Sequence, residues 1–212
     1  MKINDVSLII IVLSFFIGAF SYAYMPDLMP THWNAQGEID GYMDKFWGLF
    51  FLPVISLGIF ALFIYLPKFE PRKNNLEAFK DYYEGIALTT VGFLFYIYVL
   101  SILAALEYEF NMVQMMAPGF AVLLYYIGIT LQRTKSNFFV GIRTPWTISD
   151  DTVWEKTHNI GGKLFKVSGI ISLFGAFFKE IAIILILAPI LAVTIFVFIY
   201  SYLEYRKIHK GE

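Results

Sequence analysis

The chain contains no cysteine, which excludes disulfides and thiolate metal sites. It has little charge: only 16% of its 212 residues are Asp, Glu, Lys or Arg, and the net charge of −1 gives no reason to expect direct nucleic-acid binding. It has no soluble domain, no convincing internal repeat and no low-complexity tract. No ionisable residue falls in the middle of an apolar run; Lys166 comes nearest and lies close to an end. Because a charge deep in lipid is costly and marks ion or proton paths, its lack argues against a proton-coupled pump or an ion channel. No serine or other nucleophile has a base beside it in sequence, so nothing points to an enzyme, and nothing asks for a cofactor.

What the chain has in excess is apolar residues, 58% of the total, with 19% aromatic. A soluble globule of this size keeps too much surface to hide them. About 20 mostly apolar residues cross a bilayer. On that measure spans are expected near 6–24, 47–66, 87–106, 112–131, 164–178 and 181–203. The expected fold is therefore all-α: a polytopic six-helix transmembrane bundle forming a single membrane domain over 1–212. The fifth span is short, and either borrows Gly161 to Lys163 at its start or is a re-entrant segment.

Alternating sides divide the 16 Lys and Arg very unevenly. One side holds only Lys45 and Lys179; the other holds the rest, from Lys2 through Arg72 and Arg143 to Lys210. Positive charge stays inside, so both termini and the loops 67–86 and 132–163 are expected in the cytosol. The first apolar run is too long for a typical signal peptide and lacks a convincing cleavage site, so it is expected to stay. Within the first inner loop, Asn74 to Glu84 looks helical and amphipathic. The small residues Gly161, Ser168, Ser172 and Gly175 share one face of the fifth span and favour close helix packing within the bundle.

The outer loop, 25–46, follows the first span and precedes the second in an N-terminal module of 1–66. Pro26 and Pro30 stiffen its start, and Gly37 and Gly41 permit turns. Asp27, Glu38, Asp40 and Asp44 face only Lys45, and Trp33, Tyr42, Phe46 and Trp47 suit the headgroup region. Three readings stand: an interfacial lid, a surface for a cationic amphipathic peptide, or a cation site at His32, Asp40 and Asp44. The last has weak support, since no His-x-x-x-His or tight acidic repeat is present.

The inner loop contains GIRTPWTISDDTVWEKTH, residues 141–158. Thr144-Pro145 makes an extended turn, Ser149 is a good N-cap, and Asp150 and Asp151 suit a first helical turn. Trp154 and His158 then fall on one face of a helix that is expected to run on through Gly161-Gly162 towards the fifth span. Arg143 beside Trp146 is placed to stack, to cap helix carbonyls, to grip lipid phosphate, to pair with Asp150 or Asp151, or to bind a partner's carboxylate. The stretch reads either as an interfacial elbow or as a docking surface for a cytosolic protein.

At these residues the chain resembles the SdpI-like integral membrane proteins, a family known for immunity to a secreted sporulation-delaying peptide toxin. Pro30, His32-Trp33-Asn34, Gly37, Asp40 and Lys45 resemble its N-terminal module. Asn137, Gly141-Ile142-Arg143-Thr144-Pro145-Trp146-Thr147, Val153-Trp154, Thr157-His158 and Gly161 resemble its C-terminal signature. The resemblance implies a prokaryotic cell-membrane protein that protects against a membrane-active peptide. It also implies a second role, in which toxin binding is reported inwards by holding a transcriptional repressor at the membrane. Pro30, His32, Trp33, Asn34, Gly37, Asp40 and Lys45 are then the expected outer ligand-binding residues. Arg143, Thr144, Pro145, Trp146, Trp154 and His158 are the expected cytosolic signalling residues. The competing expectation is a small transporter or exporter of amphipathic molecules.

Overall fold

The computed structural model describes residues 3–210; Lys2, counted above among the inner cations, lies outside them, as do the extreme ends of the chain. The elements are α1 (Ile3–Ser21), β1 (Leu28–Trp33), β2 (Ile39–Asp44), α2 (Lys45–Phe69), α3 (Lys73–Glu77), α4 (Lys80–Ala105), α5 (Met112–Leu131), α6 (Pro145–Ser149), α7 (Asp151–Phe174) and α8 (Ala182–Ile208), with a short 3-10 turn at Lys179–Ile181. Four of these helices, α1, α2, α4 and α5, are long and apolar enough to cross a membrane, as is the segment Lys179–Ile208. Their outward faces carry large exposed apolar side chains such as Phe16, Phe20, Val122, Leu191 and Ile195, as a lipid solvent requires. Hydroxyls within them turn back on their own helix: Ser14, Thr89 and Thr194 each donate to the carbonyl four residues earlier at 2.8 Å. These three hydroxyls thereby avoid facing hydrocarbon alone.

The sixth long helix, α7, differs. Its 24 residues run about 36 Å at 1.5 Å per residue, but the first turns read DTVWEKTHN and are polar. It is one continuous helix lying antiparallel against α5 for the length of that helix. Gly162 meets Gly128, Gly169 meets Ala121, and Gly175 meets Ala117. The small residues serve two contacts: Gly162 and Gly169 face α5, whereas Gly161 faces Ile142 and Val197, and Ser172 Oγ donates to Leu185 O at 3.4 Å.

Two expectations need correcting locally. The amphipathic stretch from Asn74 to Glu84 is not one helix. It breaks at Ala78-Phe79 because Phe79 turns inward with Leu76 and Tyr83 against Phe63, and α4 then starts at Lys80 rather than near 87. The all-α reading also lacked the hairpin β1–β2, which pairs antiparallel from Leu28↔Asp44 to Trp33↔Ile39 with a bulge around His32.

The bundle has two halves. The helices α1, α2 and α4 pack together and carry the hairpin, whereas α5, α7 and α8 pack together and carry α6. The principal helix contact between the halves is α4 against α5. At one end lie the hairpin, the α4–α5 link and the α7–α8 turn. At the other lie residues 70–79, 132–150 and the end of α8.

Candidate functional site

At the hairpin end, the polar residues mostly build the turn. Asn34 Oδ1 accepts from Gln36 N at 2.9 Å and Glu38 N at 3.0 Å, and its Nδ2 donates to Glu38 Oε2 at 3.1 Å. Gly37 takes φ +79 directly against Asn111, where an added Cβ would lie 2.4 Å from the amide. Asn111 itself caps α5 through Gln114 N at 2.9 Å and donates to Gln36 O at 2.5 Å. Pro30 is buried, and its carbonyl accepts from Ser101 Oγ at 3.2 Å. Lys45 Nζ donates to Asp27 Oδ1 at 2.9 Å, which holds the Asp27 carboxyl below the usual carboxylate range.

His32 Nδ1 lies 2.5 Å from Asp40 Oδ1, both exposed. Asp44 is not part of this pair: its Oδ1 caps α2 at Phe46 N, 2.8 Å. Among the described residues no three His, Cys, Asp or Glu converge as a metal site would require.

Beside the hairpin opens a cleft of about 730 Å³. Trp33, Gly37, Glu38 and Ile39 form one wall, Glu107 to Asn111 and Gln114 the other, and Lys179 closes it from the α7–α8 turn. Of the outer residues singled out in sequence, Trp33 and Gly37 line this cleft, whereas His32, Asp40 and Lys45 do not. Glu107, Tyr108, Glu109 and Phe110 had only the acidity of a short loop to mark them. Glu107 is the one non-glycine residue with positive φ (62°) among those described.

The other end is a tightly hydrogen-bonded loop. Asn137 is buried at its centre: Oδ1 accepts from Phe139 N (2.9 Å) and Val140 N (2.7 Å), and Nδ2 donates to Lys135 O and Val140 O, both at 2.8 Å. Thr144 caps α6, accepting from Thr147 N at 3.2 Å, while Thr147 Oγ1 accepts from Thr144 N at 2.9 Å and donates to Ile142 O at 2.7 Å. The expected N-cap Ser149 instead ends α6, with its hydroxyl donating to Trp146 O at 3.2 Å. Asp150 caps α7, accepting from Thr152 N (2.7 Å) and Val153 N (2.9 Å), because its carboxylate reaches both free amides of the first turn.

Trp154 and His158 stack with centroids 3.9 Å apart, and each is only 2% exposed. Trp154 Nε1 donates to Thr134 O at 3.1 Å. His158 Nδ1 donates to Trp154 O at 2.8 Å, and Nε2 accepts from Ile142 N at 2.8 Å. That second bond requires the neutral ring, and burial pushes the His158 pKa down to about 4. Trp146 is half-buried against Phe198 and Tyr202, with centroids 5.3 and 5.0 Å away. Arg143 and Pro145 are exposed; the Arg143 guanidinium donates to Phe138 O rather than pairing with either aspartate.

Three residues that the sequence did not distinguish bind this loop to the other half. Buried Glu70 accepts from Arg72 N at 2.8 Å and Phe138 N at 2.9 Å. Arg72 donates to Ser136 Oγ and to Ile148 O at 3.3 Å, and Asn75 donates to Ser136 O at 2.7 Å. They lie more than sixty residues from their partners, so no local pattern reveals them.

The neutral histidine makes stability depend on pH. Its folded pKa lies below the unfolded value of 6.5, so the stabilisation is present above 6.5 and is lost as pH falls from 6.5 towards 4. The expected loss is about 3 kcal/mol. Unfolding in detergent, followed by tryptophan fluorescence across this range, measures it. A His158→Phe chain should lose this part of the slope, and an identical slope in both chains would refute the assignment.

The same segments carry the chain's kinship with known proteins. The SdpI/YfhL protein family matches residues 133–201, from the tight loop into α8. A "Domain of unknown function (DUF1648)" matches residues 9–57, covering most of α1, the hairpin and the start of α2. The chain is 30% identical over 211 residues to "Immunity protein SdpI" of Bacillus subtilis (strain 168), covering 99% of both chains. No solved structure matches it. The chain belongs to the SdpI/YfhL family and is a multi-pass membrane protein.

Proposed function

We propose that this chain is an immunity protein of the bacterial cell membrane that protects its host against a secreted membrane-active peptide. The observation that carries this reading is end-to-end similarity to an immunity protein, with 99% of both chains aligned. The topology proposed with it has six crossings, α7 being the fifth, and both termini in the cytosol. The cation distribution supports it: Lys45 and Lys179 stand alone at the hairpin end, and the remaining cations of the described residues belong to the opposite side.

In this reading the cleft beside the hairpin receives the peptide. Three glutamates, 38, 107 and 109, against Lys179 give it a negative balance, and Trp33, Tyr108 and Phe110 offer apolar faces. A cationic amphipathic peptide has the complementary chemistry. The loop 132–150 faces the cytosol as the signalling surface for a repressor, with Arg143 and Pro145 presented outward and Trp154 and His158 acting as its internal support. The protein acts by binding, not by catalysis.

The test separates the two ends. Cells lacking their own immunity protein would express the chain and be challenged with the secreted peptide. The wild type should restore growth, and Glu107→Gln with Glu109→Gln should reduce both peptide capture and survival several-fold. Arg143→Ala should keep both yet lose the cytosolic regulator in crosslinking from native membranes. Equal loss of peptide and regulator in correctly inserted Arg143→Ala protein would sink the separation of roles. Transport of the peptide across sealed vesicles would favour an exporter.

A further inference from the structure

We propose that the outward face of α5 is a seat for one anionic phospholipid, with its two acyl chains on either side of a ridge at Val122 and its phosphate held by Lys163, Lys166 and Arg133. Two apolar grooves flank α5 at mid-bundle. One, of about 370 Å³, lies between α5 and α7. Its floor is backbone, because Gly169 brings α7 so close that an added Cβ would stand 2.7 Å from Ala121 O and 2.9 Å from Tyr125 N. Tyr125, Ile170 and Leu173 wall it. The other, of about 360 Å³, lies between α4 and α5 and is lined by Gly92, Phe93, Tyr96 and Gly119. It is a fixed hollow on a packed contact: Tyr96 Oη donates to Met115 O at 2.5 Å, and Phe93 meets Phe120 with centroids 4.9 Å apart. Pro118 and Val122 line both grooves, and Val122 is 65% exposed, so it stands up between them. Two narrow grooves parted by a ridge match two chains joined at one end. A partner helix would rest on Val122 and leave both grooves unfilled.

The charged end of the seat follows from helix periodicity. On α7, Lys166 and Lys163 stand at i−4 and i−7 from Ile170, on the stripe that walls the first groove. Arg133 lies in the closing turn of α5, about three turns along the ridge from Val122. Lys163 and Arg133 are exposed, and Lys166 Nζ donates to Gln132 Oε1 at 2.6 Å, an acceptor without a counter-charge. Among the described residues no carboxylate pairs with any of the three, whereas Lys45, Arg72, Lys80 and Lys156 each have one. Asp81 of α4 lies on this side too, and against it the three cations keep the balance positive. Depth agrees with the charge. One leaflet, half the hydrocarbon core plus a headgroup layer, measures about 20–22 Å. From Pro118 to Arg133 the helix axis runs about 22 Å. A phosphate at Arg133 therefore brings the chain ends to Pro118, where the grooves finish. Anionic phosphate accepts charge-assisted hydrogen bonds from ammonium and guanidinium, whereas a zwitterionic lipid brings a cation of its own beside them.

The delipidated full chain in a maltoside detergent would be titrated with dioleoylphosphatidylglycerol or dioleoylphosphatidylcholine, and read by native mass spectrometry and by Tm. The wild type is expected to retain one phosphatidylglycerol at a concentration about tenfold below that needed for phosphatidylcholine, with a rise in Tm. Lys163→Gln with Arg133→Gln should erase this preference. Gly92→Leu fills the second groove where nothing lies within 4 Å, so it should keep the lipid-free Tm and lower the retention of both lipids several-fold. That arm stands whether or not the double variant folds. Equal retention of the two lipids by the wild type would overturn the proposal, as would an unchanged preference in the folded double variant. Full retention by Gly92→Leu would overturn the seating of the chains. A lipid-free dimer that Gly92→Leu abolishes would overturn it too, and would give this face to a second copy of the chain.

Discussion

Gly141→Ala is expected to destabilise the protein by about 3 to 5 kcal/mol, summing backbone strain and overpacking. Gly141 holds φ +128, a conformation that an L side chain resists. The space is also taken: a Cβ there would lie 2.5 Å from His158 Nε2 and 3.1 Å from the Trp154 ring. Those rings are fixed from behind by Thr134 O and by the α7 backbone, so neither can retreat without losing a hydrogen bond. The methyl would also separate Nε2 from Ile142 N, which donates to that nitrogen. Thermal unfolding in detergent measures the effect. A Tm close to that of the wild type would show that the loop adapts around residue 141 and that the stacked pair is not its keystone.

Gly162→Leu should cost at least as much, about 4 kcal/mol or more, and should reduce the yield of folded protein. The α5–α7 contact is backbone on backbone here. A Cβ on Gly162 would stand 2.6 Å from Gly128 O, and one on Gly128 would stand 2.5 Å from Gly162 O. The Gln132 side chain, 2.5 Å from that Gly162 Cβ, can rotate away, but the facing carbonyls cannot, so the helices must separate. Separation would then strip the bond from Lys166 Nζ to Gln132 Oε1, now 2.6 Å, which gives that ammonium a partner between the helices. Gly92→Leu, where nothing lies within 4 Å, is the matched control and should be tolerated. Comparable monodispersity and Tm for the two leucine variants would mean that α5 and α7 are not locked as described.

The same contrast explains what could be read in the sequence. Lipid demands long apolar runs, so five helices announced themselves, and α5 falls at 112–131 as expected. The i, i+4 stacking of Trp154 on His158 was legible because helix geometry fixes it locally. The hairpin was not legible. Its first strand carries a proline and a bulge, and its burial does not alternate, so the period-two signal is missing. The cap at Asp150 was misplaced by one residue because Ser149 has equal intrinsic aptitude, and only the short helix α6 decides between them. The reach of α7 through Gly161-Gly162 towards the next apolar run was legible, because the acids of its first turn mark its start and no proline interrupts it. Glu70, Arg72 and Asn75 were invisible because they act across the division of the bundle, where sequence distance carries no information.

The polar beginning of α7 also bears on how the chain reaches its bilayer. Synthesis delivers α5 long before α8, and α7 emerges between them with two lysines, 163 and 166, at the edge of its apolar part. Alone, so short an apolar part with lysines at its edge partitions weakly into hydrocarbon; a lysine at mid-span would cost about 2.5–3.5 kcal/mol on insertion scales, and one near an end less. Its shelter is protein: Gln132 for one ammonium, the glycine face for α5, and the apolar wall of α8 on the far side. The last helix is therefore more than an anchor. Until it has been made, α7 lacks one of its two long helical neighbours, and the loop that precedes α7 lacks the contacts of Thr144 with Ser201 and of Trp146 with Phe198 and Tyr202.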